Sequence, residues 1–195
     1  MIQNVTKLST SPLVMTFDSG IDDAIVDTLA THDGFQKSMG YDFGTKGSSE
    51  TDWRRSSTWF DTMQQFRSVH TRLIHIASEA SGVEFSPEQG EPMQLTRYQV
   101  GEYYKHHWDH FNFPNLPQVD NDRVATLIWY LNDGFEGGTT YFNHLGITVT
   151  PRRGRCLLFY YPDDVSKNLM LHEGCPVTAG EKTIATIWIR GSAWC

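Results

Sequence analysis

The second half of the chain reads MQLTRYQV (93–100), YYKHHWDH (103–110), VATLIWYLN (124–132), GTTYFN (138–143), GITVTP (146–151), GRCLLFYY (154–161), LHEGCPVT (171–178) and KTIATIWIRG (182–191). These short segments are rich in β-branched and aromatic residues, alternate with a period of two, and are separated by turn residues. Eight such strands, with no recurring helix between them, favour a double-sheet jelly roll over a parallel α/β sheet. The sequence therefore predicts a mainly β fold.

Two amphipathic helices are predicted before these strands. Asp18 to Thr31 has acidic residues early and apolar residues at four-residue spacing. Asp61 to Ala80 has apolar residues every three or four positions and is followed by Gly82, which favours a helix end. We expect one domain over residues 1–195, with a helical N-terminal support at about 12–90 packed on one sheet of a jelly-roll core at about 91–192.

The segment between the helices, GYDFGTKGSSETDWRRSS (40–57), is rich in Gly, Ser and Asp and lacks periodicity. Long loops in compact domains tend to carry function, although a tolerated surface loop is the alternative. Because Trp53, Arg54 and Arg55 lie in this segment, we interpret it as a lid that faces the substrate.

Composition excludes several classes of protein. The 195 residues carry a net charge of −7, which argues against a broad nucleic-acid surface. No leader-like segment opens the chain and no apolar run is long enough to span a bilayer, so we expect a cytoplasmic protein. Cys156, Cys175 and Cys195 lack a CxxC spacing and are interpreted as reduced thiols.

Three residues form a candidate metal site. In an extended strand, side chains i and i+2 share a face, so His107 and Asp109 can both face one ion while Trp108 faces away. A distant His172 completes two imidazoles and one carboxylate, a set typical of non-haem iron with open positions for a cosubstrate and dioxygen. The same donors also suit zinc.

Other histidines compete for these places. His106 and His110 have the wrong offset from Asp109 for a shared strand face, although a β-bulge would remove that objection. His144, with Arg153 or Arg155 as an anion partner, is the alternative to His172.

Lys182 suggests what the open metal positions bind. It lies ten residues after His172, on the next predicted strand. A cation beside the metal can pair with the far carboxylate of a dicarboxylate whose other end chelates the iron. Polar residues within apolar strands, namely Thr126, Thr140 and Thr186, are also expected to face a pocket.

The segments RYQVGEYYKHHWDHF (97–111), GGTTYF (137–142) and HEGCPVTAGEKTIATIWIRG (172–191) resemble the prolyl 4-hydroxylase type of Fe(II)- and 2-oxoglutarate-dependent dioxygenases. The resemblance covers about residues 12–194 and implies a double-stranded β-helix, the jelly-roll variant. It further implies hydroxylation of a prolyl residue, at C4, in a peptide or protein, with succinate and CO2 as co-products. Fe(II), 2-oxoglutarate, O2 and ascorbate are the cofactors and cosubstrates expected from the family.

The resemblance also assigns residues. The implied iron ligands are His107, Asp109 and His172. The implied 2-oxoglutarate residues are Lys182, Tyr98, Thr140 and Trp188. The implied peptide-binding residues are Tyr104, Arg123, Arg54 and Arg55. Asp109 favours hydroxylation over halogenation, because halogenating relatives usually have a small residue in place of the carboxylate.

Substrate identity stays open at this stage. His106 stands where many family members have proline, and residues 111–122 are particular to this chain. The alternatives are hydroxylation of free proline, another amino acid or a small molecule. Nucleobase demethylation is disfavoured by the acidic charge, and a non-catalytic jelly-roll binding module leaves the ligand set unexplained. The sequence does not distinguish a monomer from a homodimer.

Overall fold

The computed structural model describes residues 2–42, 47–49, 52–113 and 117–194. Within these ranges lie three α-helices and one 3₁₀ turn: α1 (Asp23–Ala30), α2 (Arg67–Ser81), the 3₁₀ turn Pro87–Gln89 and α3 (Asp164–Leu169). No helix in the described ranges has the length and apolar character needed to cross a membrane.

The described strands form two main sheets. In chain order they are β1 (Gln3–Thr10), β2 (Leu13–Asp18), β3 (Gln36–Lys37), β4 (Gly40–Asp42), β5 (Gly47–Ser49), β6 (Arg54–Arg55), β7 (Ser57–Phe60), β8 (Gln94–Tyr98), β9 (Tyr103–His107), β10 (Arg123–Tyr130), β11 (Glu136–Gly137), β12 (Thr140–Phe142), β13 (Ile147–Val149), β14 (Arg155–Tyr160), β15 (His172–Gly174), β16 (Val177–Ala179) and β17 (Lys182–Arg190). The large sheet has the order β1-β2-β14-β10-β17-β8-β7-β3, and the small sheet has the order β13-β12-β15-β9-β6. Neighbouring strands in both sheets are antiparallel.

The two faces of β10 pack into two different hydrophobic cores. Leu127 and Trp129 pack with helix residues such as Leu73, on the outer face of the large sheet. Ile128 and Tyr130 belong to the cluster between the two sheets. Successive side chains of a strand point to opposite faces, so one strand supplies both cores. The predicted jelly roll with helices packed on one sheet is confirmed.

Both N-terminal helices are shorter than predicted. Asp18 ends β2, and α1 begins at Asp23 because the Asp22 carboxylate caps it by accepting the Ala24 N–H at 2.8 Å. The predicted start of the second helix at Asp61 is also wrong. The Asp61 carboxylate accepts backbone N–H groups in the turn that precedes α2, and α2 itself begins at Arg67.

The first sixty residues contribute strands as well as a helix. Strands β1, β2, β3 and β7 extend the large sheet on both sides, and the sequence had not predicted them. The segment 40–57, interpreted as a long loop that forms a lid facing the substrate, contains the short strands β4, β5 and β6, and its last residue, Ser57, begins β7. Residues 43–46, 50 and 51 of that segment lie outside the described ranges.

The thiols of Cys156 and Cys175 are free, as predicted, and Cys195 lies outside the described residues. Cys156 is fully buried on β14, where loss of hydration raises the pKa of its thiol well above the ordinary value. A buried neutral thiol behaves as a small apolar core residue.

Candidate metal centre

Two histidines meet across the small sheet. His107, the last residue of β9, pairs directly with His172, the first residue of β15, and their ring centroids lie 4.3 Å apart. Asp109 follows β9, and its carboxylate lies 3.6 Å from Nε2 of His107 and 3.8 Å from Nε2 of His172. One donor atom from each of the three residues lies within 4.8 Å of the others.

Asp109 reaches this cluster by a different route from the one predicted. The segment 103–110 was expected to form one extended strand, but β9 ends at His107 and Asp109 lies in a bend. The Asp109 carbonyl accepts a hydrogen bond from Nη1 of Arg123 at 3.1 Å, and Phe111 N–H donates to the Asp122 carboxylate. These contacts draw the chain away from the sheet, so the two-residue strand offset does not explain the convergence.

The backbone fixes the tautomer of both histidines. Nδ1 of His107 lies 2.7 Å from the Lys105 carbonyl oxygen, and Nδ1 of His172 lies 2.9 Å from that of Met170. A carbonyl oxygen only accepts, so each Nδ1 carries the proton and donates it. The lone pair of each Nε2 is therefore free for a metal ion, the arrangement found when a ligating histidine is oriented by its other nitrogen.

Burial and neighbouring groups put His107 and Asp109 in their metal-binding protonation states. Burial, reinforced by the neighbouring His172, lowers the pKa of His107 to about 3 and keeps its imidazole neutral. Burial alone would raise the pKa of Asp109, but His172 and His107, together with the Arg123 guanidinium and the hydrogen bond from Thr126, hold that pKa below its ordinary value. Neutral imidazole and ionised carboxylate are the ligand forms, so the residues present fit a divalent metal.

Lys182 is a buried cation beside this cluster. Its side chain is 3% exposed, and Nζ donates to the Gly138 carbonyl at 2.6 Å and lies 5.2 Å from the centre of the Tyr98 ring. Among the described residues, no carboxylate lies within ion-pair distance of Nζ. Burial accordingly lowers the pKa of Lys182 to about 8. An anion in this cavity would supply the missing partner.

A cavity of about 40 Å³ joins Lys182 to the histidine and aspartate cluster. The structure places every residue predicted for 2-oxoglutarate on its wall: Tyr98, Thr140, Lys182 and Trp188. The Thr140 hydroxyl lies 2.9 Å from that of Tyr130. Sequence reasoning missed Gln94 and Thr96, which also line the cavity. Their spacing of two from Tyr98 on β8 was the signal, since all three share a strand face.

The cavity opens into a groove of about 910 Å³. Arg54, Tyr104 and Trp188 line both spaces, and further aromatic residues line the groove, namely Trp53, Trp59, Phe60, Trp108, Phe111 and Phe113. Tyr104 stacks on His107, with centroids 3.4 Å apart and planes at 10°, and the Arg54 guanidinium lies 4.6 Å from the Tyr104 ring centre.

The other two residues predicted to bind the substrate, Arg123 and Arg55, differ in whether they line the groove. Arg123 lines the groove, but Nε and Nη2 each lie 2.7 Å from the Glu91 carboxylate, and its guanidinium carbon lies 4.0 Å from the centre of the Trp188 ring. Arg55 lines neither the cavity nor the groove. Its side chain is 58% exposed and pairs with Asp52.

The competing histidines do not join the cluster. His106 pairs with Glu173 at 3.2 Å, and His110 packs against the Phe113 ring with centroids 4.5 Å apart. His144 is exposed and bonds to the Asn168 carbonyl at 2.8 Å. Within the described ranges, the group of three donors able to hold a metal ion is His107, Asp109 and His172.

Comparison with known proteins agrees with this geometry. Residues 93–190 match the family model of the 2OG-Fe(II) oxygenase superfamily. Two Arabidopsis thaliana proteins are similar in sequence. One, described as probable prolyl 4-hydroxylase 7, is 30% identical over 95% of this chain and 65% of its own length. The other, prolyl 4-hydroxylase 1, is 37% identical over 54% of this chain and 43% of its own length.

A solved structure is similar along nearly the whole chain. It is a viral collagen prolyl hydroxylase from Paramecium Bursaria Chlorella virus-1, determined as a 2OG complex. The two structures align with a TM-score of 0.69 and 27% identity, over 92% of this chain and 96% of the other. This chain nevertheless spans less than two thirds of the length of each of the two plant relatives. The matched family model covers half of the sequence and contains all three clustered donors, and the chain belongs to the 2OG-Fe(II) oxygenase superfamily.

Proposed function

We propose that this chain is an Fe(II)- and 2-oxoglutarate-dependent dioxygenase that hydroxylates a prolyl residue, at C4, in a peptide or protein. Succinate and CO2 are the co-products. The observation that carries the proposal is the buried ammonium of Lys182, which has no carboxylate partner among the described residues and shares a cavity with the histidine and aspartate cluster.

The metal ligands in this proposal are His107, Asp109 and His172. Fe(II) bound with 2-oxoglutarate supplies the oxidising power for C–H hydroxylation, which no amino-acid side chain provides. The chain would supply two imidazoles and one carboxylate to the ion, a ligand set that would leave positions open for the cosubstrate. Ascorbate dependence is an expectation from the family.

Lys182 binds the far carboxylate of 2-oxoglutarate through a charge-assisted hydrogen bond. Thr140 can add a second donor. If the Tyr130 hydroxyl donates to Thr140, the single proton of the Thr140 hydroxyl is free for the carboxylate. Tyr98 and Trp188 complete the wall and exclude water, which strengthens these polar interactions.

The groove favours a peptide over a free amino acid. Its volume of about 910 Å³ greatly exceeds the 40 Å³ of the inner cavity, so it can hold several residues while one side chain reaches the metal. Its aromatic lining suits proline rings and extended polyproline segments. The relatives described as prolyl 4-hydroxylases support the same substrate class. Free proline or another small molecule is the second candidate.

The test is incubation of the protein with Fe(II), 2-oxoglutarate and ascorbate, together with proline-rich peptides or free proline. Mass spectrometry then locates one added oxygen atom. We expect the oxygen on a prolyl residue of a peptide, no product with His172→Ala, and native activity with the exposed-histidine control His144→Ala. Product on free proline alone would contradict the peptide proposal.

We also propose a reducing, cytoplasmic location, which the free thiols of Cys156 and Cys175 support. A fluorescent fusion of the full chain tests the location. Accumulation in an oxidising compartment would contradict the proposed location. The oligomeric state is a separate question, and size-exclusion chromatography with light scattering distinguishes a monomer from a homodimer.

A further inference from the structure

Asp109 lies in a bend after β9, where no strand pairing fixes its side chain. The two histidines of the cluster are anchored through strand backbone and through their Nδ1 atoms. The carboxylate of Asp109 is anchored instead by a second pair of buried side chains. Nothing in the metal-binding role assigned above uses that pair.

Two hydroxyl groups form a chain that ends on Asp109. Oγ1 of Thr126, on β10, lies 2.7 Å from Oδ2 of Asp109. The same Oγ1 lies 2.8 Å from the hydroxyl oxygen of Tyr161, the residue after β14. Thr126 is 0% exposed and Tyr161 is 1% exposed, so bulk water does not compete for these contacts.

The chemistry of the groups fixes the direction of both hydrogen bonds. An ionised carboxylate only accepts, so Thr126 must donate its single proton to Asp109. The hydroxyl of Thr126 then has only lone pairs left, so Tyr161 donates to it. The order of donation is Tyr161 to Thr126 to Asp109, and hydrogen bonds that end on a charged acceptor are the stronger ones.

The relay makes the two carboxylate oxygens of Asp109 different. The two oxygens lie at similar distances from the histidines, with Oδ1 3.6 Å from Nε2 of His107 and Oδ2 3.8 Å from Nε2 of His172. They differ in hydrogen bonding, because Oδ2 accepts from Thr126 and Oδ1 accepts no hydrogen bond from the described residues. Without the relay, rotation about the terminal side-chain bond would exchange the two oxygens, because that torsion has a broad energy profile.

We propose that Thr126 and Tyr161 are positioning residues of the metal centre: their hydroxyls hold Oδ2 of Asp109 and select Oδ1 as the oxygen that binds the metal. This inference rests on the proposed function, because it takes Asp109 as a metal ligand. The inference adds Thr126 and Tyr161 to the site, and it specifies which carboxylate oxygen of Asp109 binds the metal.

The test measures Co(II) binding to the metal-free full chain, without 2-oxoglutarate, by titration and by the visible absorption of the bound ion. Thr126→Val keeps the shape of the side chain and removes the donor. We expect it to weaken Co(II) binding by about 10- to 100-fold, the usual effect of losing a partner of a metal ligand, and to change the absorption spectrum. Thr126→Ser keeps the hydroxyl and should restore native affinity and spectrum.

Matched controls separate positioning from packing. Thr183→Val removes the hydroxyl of another buried threonine, one that lies on β17 but does not line the metal cavity, and should leave Co(II) binding unchanged. Tyr161→Phe should weaken Co(II) binding, but less than Thr126→Val does. The control Tyr160→Phe should leave Co(II) binding unchanged. Combining Thr126→Val with Tyr161→Phe should add no further loss, since both act through one hydrogen-bonded chain.

The outcomes are distinct. Native affinity and spectrum in both Thr126→Val and Tyr161→Phe would overturn the inference. If Thr126→Val does not fold, Tyr161→Phe decides: weaker binding supports the relay, and unchanged binding overturns it. If His172→Ala leaves the Co(II) affinity of the otherwise native chain unchanged, the proposed metal site itself has failed, which is a different result from failure of the relay.

Discussion

Lys182 carries its ammonium into the inner cavity, and its only hydrogen-bond acceptor among the described residues is the Gly138 carbonyl. A buried charge without an opposite charge destabilises the folded state, so packing alone does not explain a lysine here. The ammonium instead offers a binding point for an anion that enters from outside. The proposed function therefore assigns separate roles within the site, in which the cation binds the cosubstrate and the three clustered donors bind the metal.

Lys182→Met tests that separation. Loss of a charge-assisted hydrogen bond costs about 1.5–3 kcal/mol, so the apparent KM for 2-oxoglutarate should rise about 10- to 100-fold. Co(II) affinity of the metal-free protein should change by less than about twofold, because Lys182 is not a ligand. Lys7→Met, at an exposed position of β1, is the matched control and should alter neither quantity. Equal losses of cosubstrate and metal affinity would mean that Lys182 maintains the fold.

The lowered pKa of Lys182 predicts a pH dependence of cosubstrate binding. Below a pKa of about 8 the group is charged and can pair with a carboxylate; above it, the neutral amine predominates. The KM for 2-oxoglutarate should therefore rise by up to about tenfold per pH unit above that value. Lys182→Arg stays charged and should have a nearly flat profile between pH 7 and 9.5. A flat native profile would contradict the prediction.

Residue identities at the metal centre were predictable, but their surroundings were not. His107 and Asp109 stand out as two ligand residues at a spacing of two. Lys182 stands out because it follows His172 by ten residues and opens an apolar strand. The ion pair of Arg123 with Glu91 was not visible in the sequence, since the two are 32 positions apart and meet only in the fold. Such a pairing depends on tertiary position, so the sequence does not show that Arg123, which lines the groove, also forms an ion pair.

At the scale of elements, the turn between β16 and β17 determines where Lys182 enters the cavity. Gly180 in this turn has φ of +73°, in the left-handed region. A Cβ atom there would lie 2.5 Å from the Gly134 carbonyl oxygen and 2.9 Å from Cα of Phe135, so two backbone segments approach too closely for a side chain. Glycine is required here for conformation and for space.

Gly180→Ala should therefore destabilise the protein by about 3 kcal/mol, the left-handed strain of about 1–2 kcal/mol plus the displacement of two backbone segments. Gly146→Ala is the matched control. Its φ is +64°, but no atom lies within 4 Å of the added Cβ, so it should cost only the strain. Urea denaturation measures both changes in the free energy of unfolding. Equal losses of unfolding free energy in the two variants would contradict the close approach of the backbone at Gly134 and Phe135 to Gly180.

Helix existence was easier to predict than helix start. The apolar period predicts α2 and Gly82 predicts its end, and the structure confirms both, with Gly82 in the left-handed conformation. Its beginning was placed too early because Met63 fits the apolar spacing, yet that side chain is 80% exposed. The Asp61 carboxylate instead organises a turn by accepting the N–H groups of Gln65 and Phe66. Periodicity alone does not distinguish such a turn from a first helical turn.

At the scale of the whole molecule, the large sheet combines both ends of the chain. Strand β2 pairs with β14 on one side of the sheet, and β7 pairs with β8 on the other. Strands from the first sixty residues of the chain therefore extend a sheet whose central strands, β10 and β17, come from the last seventy-five residues. The sequence did not reveal this. LVMTFD in β2 has four consecutive buried residues instead of alternation, and pairing over more than a hundred positions leaves no local pattern.

This arrangement predicts one cooperative unfolding transition that includes the N-terminal strands. Phe17 on β2 is 0% exposed within the core under the helices, so Phe17→Ala should lower the free energy of unfolding by about 3–5 kcal/mol. Phe60 on β7 is 45% exposed, and Phe60→Ala should cost less than about 1 kcal/mol. Circular dichroism and tryptophan fluorescence should report the same midpoint. Two separate transitions would show that the N-terminal strands unfold independently.

The central claim is that His107, Asp109 and His172 hold the iron that consumes 2-oxoglutarate in the cavity closed by Lys182. Succinate formation in the presence of Fe(II), ascorbate and a proline-rich peptide panel measures it most directly. We predict peptide-stimulated succinate release by the native chain and by the control His144→Ala, and background release by His172→Ala. Equal succinate release by the native chain and His172→Ala would contradict the account.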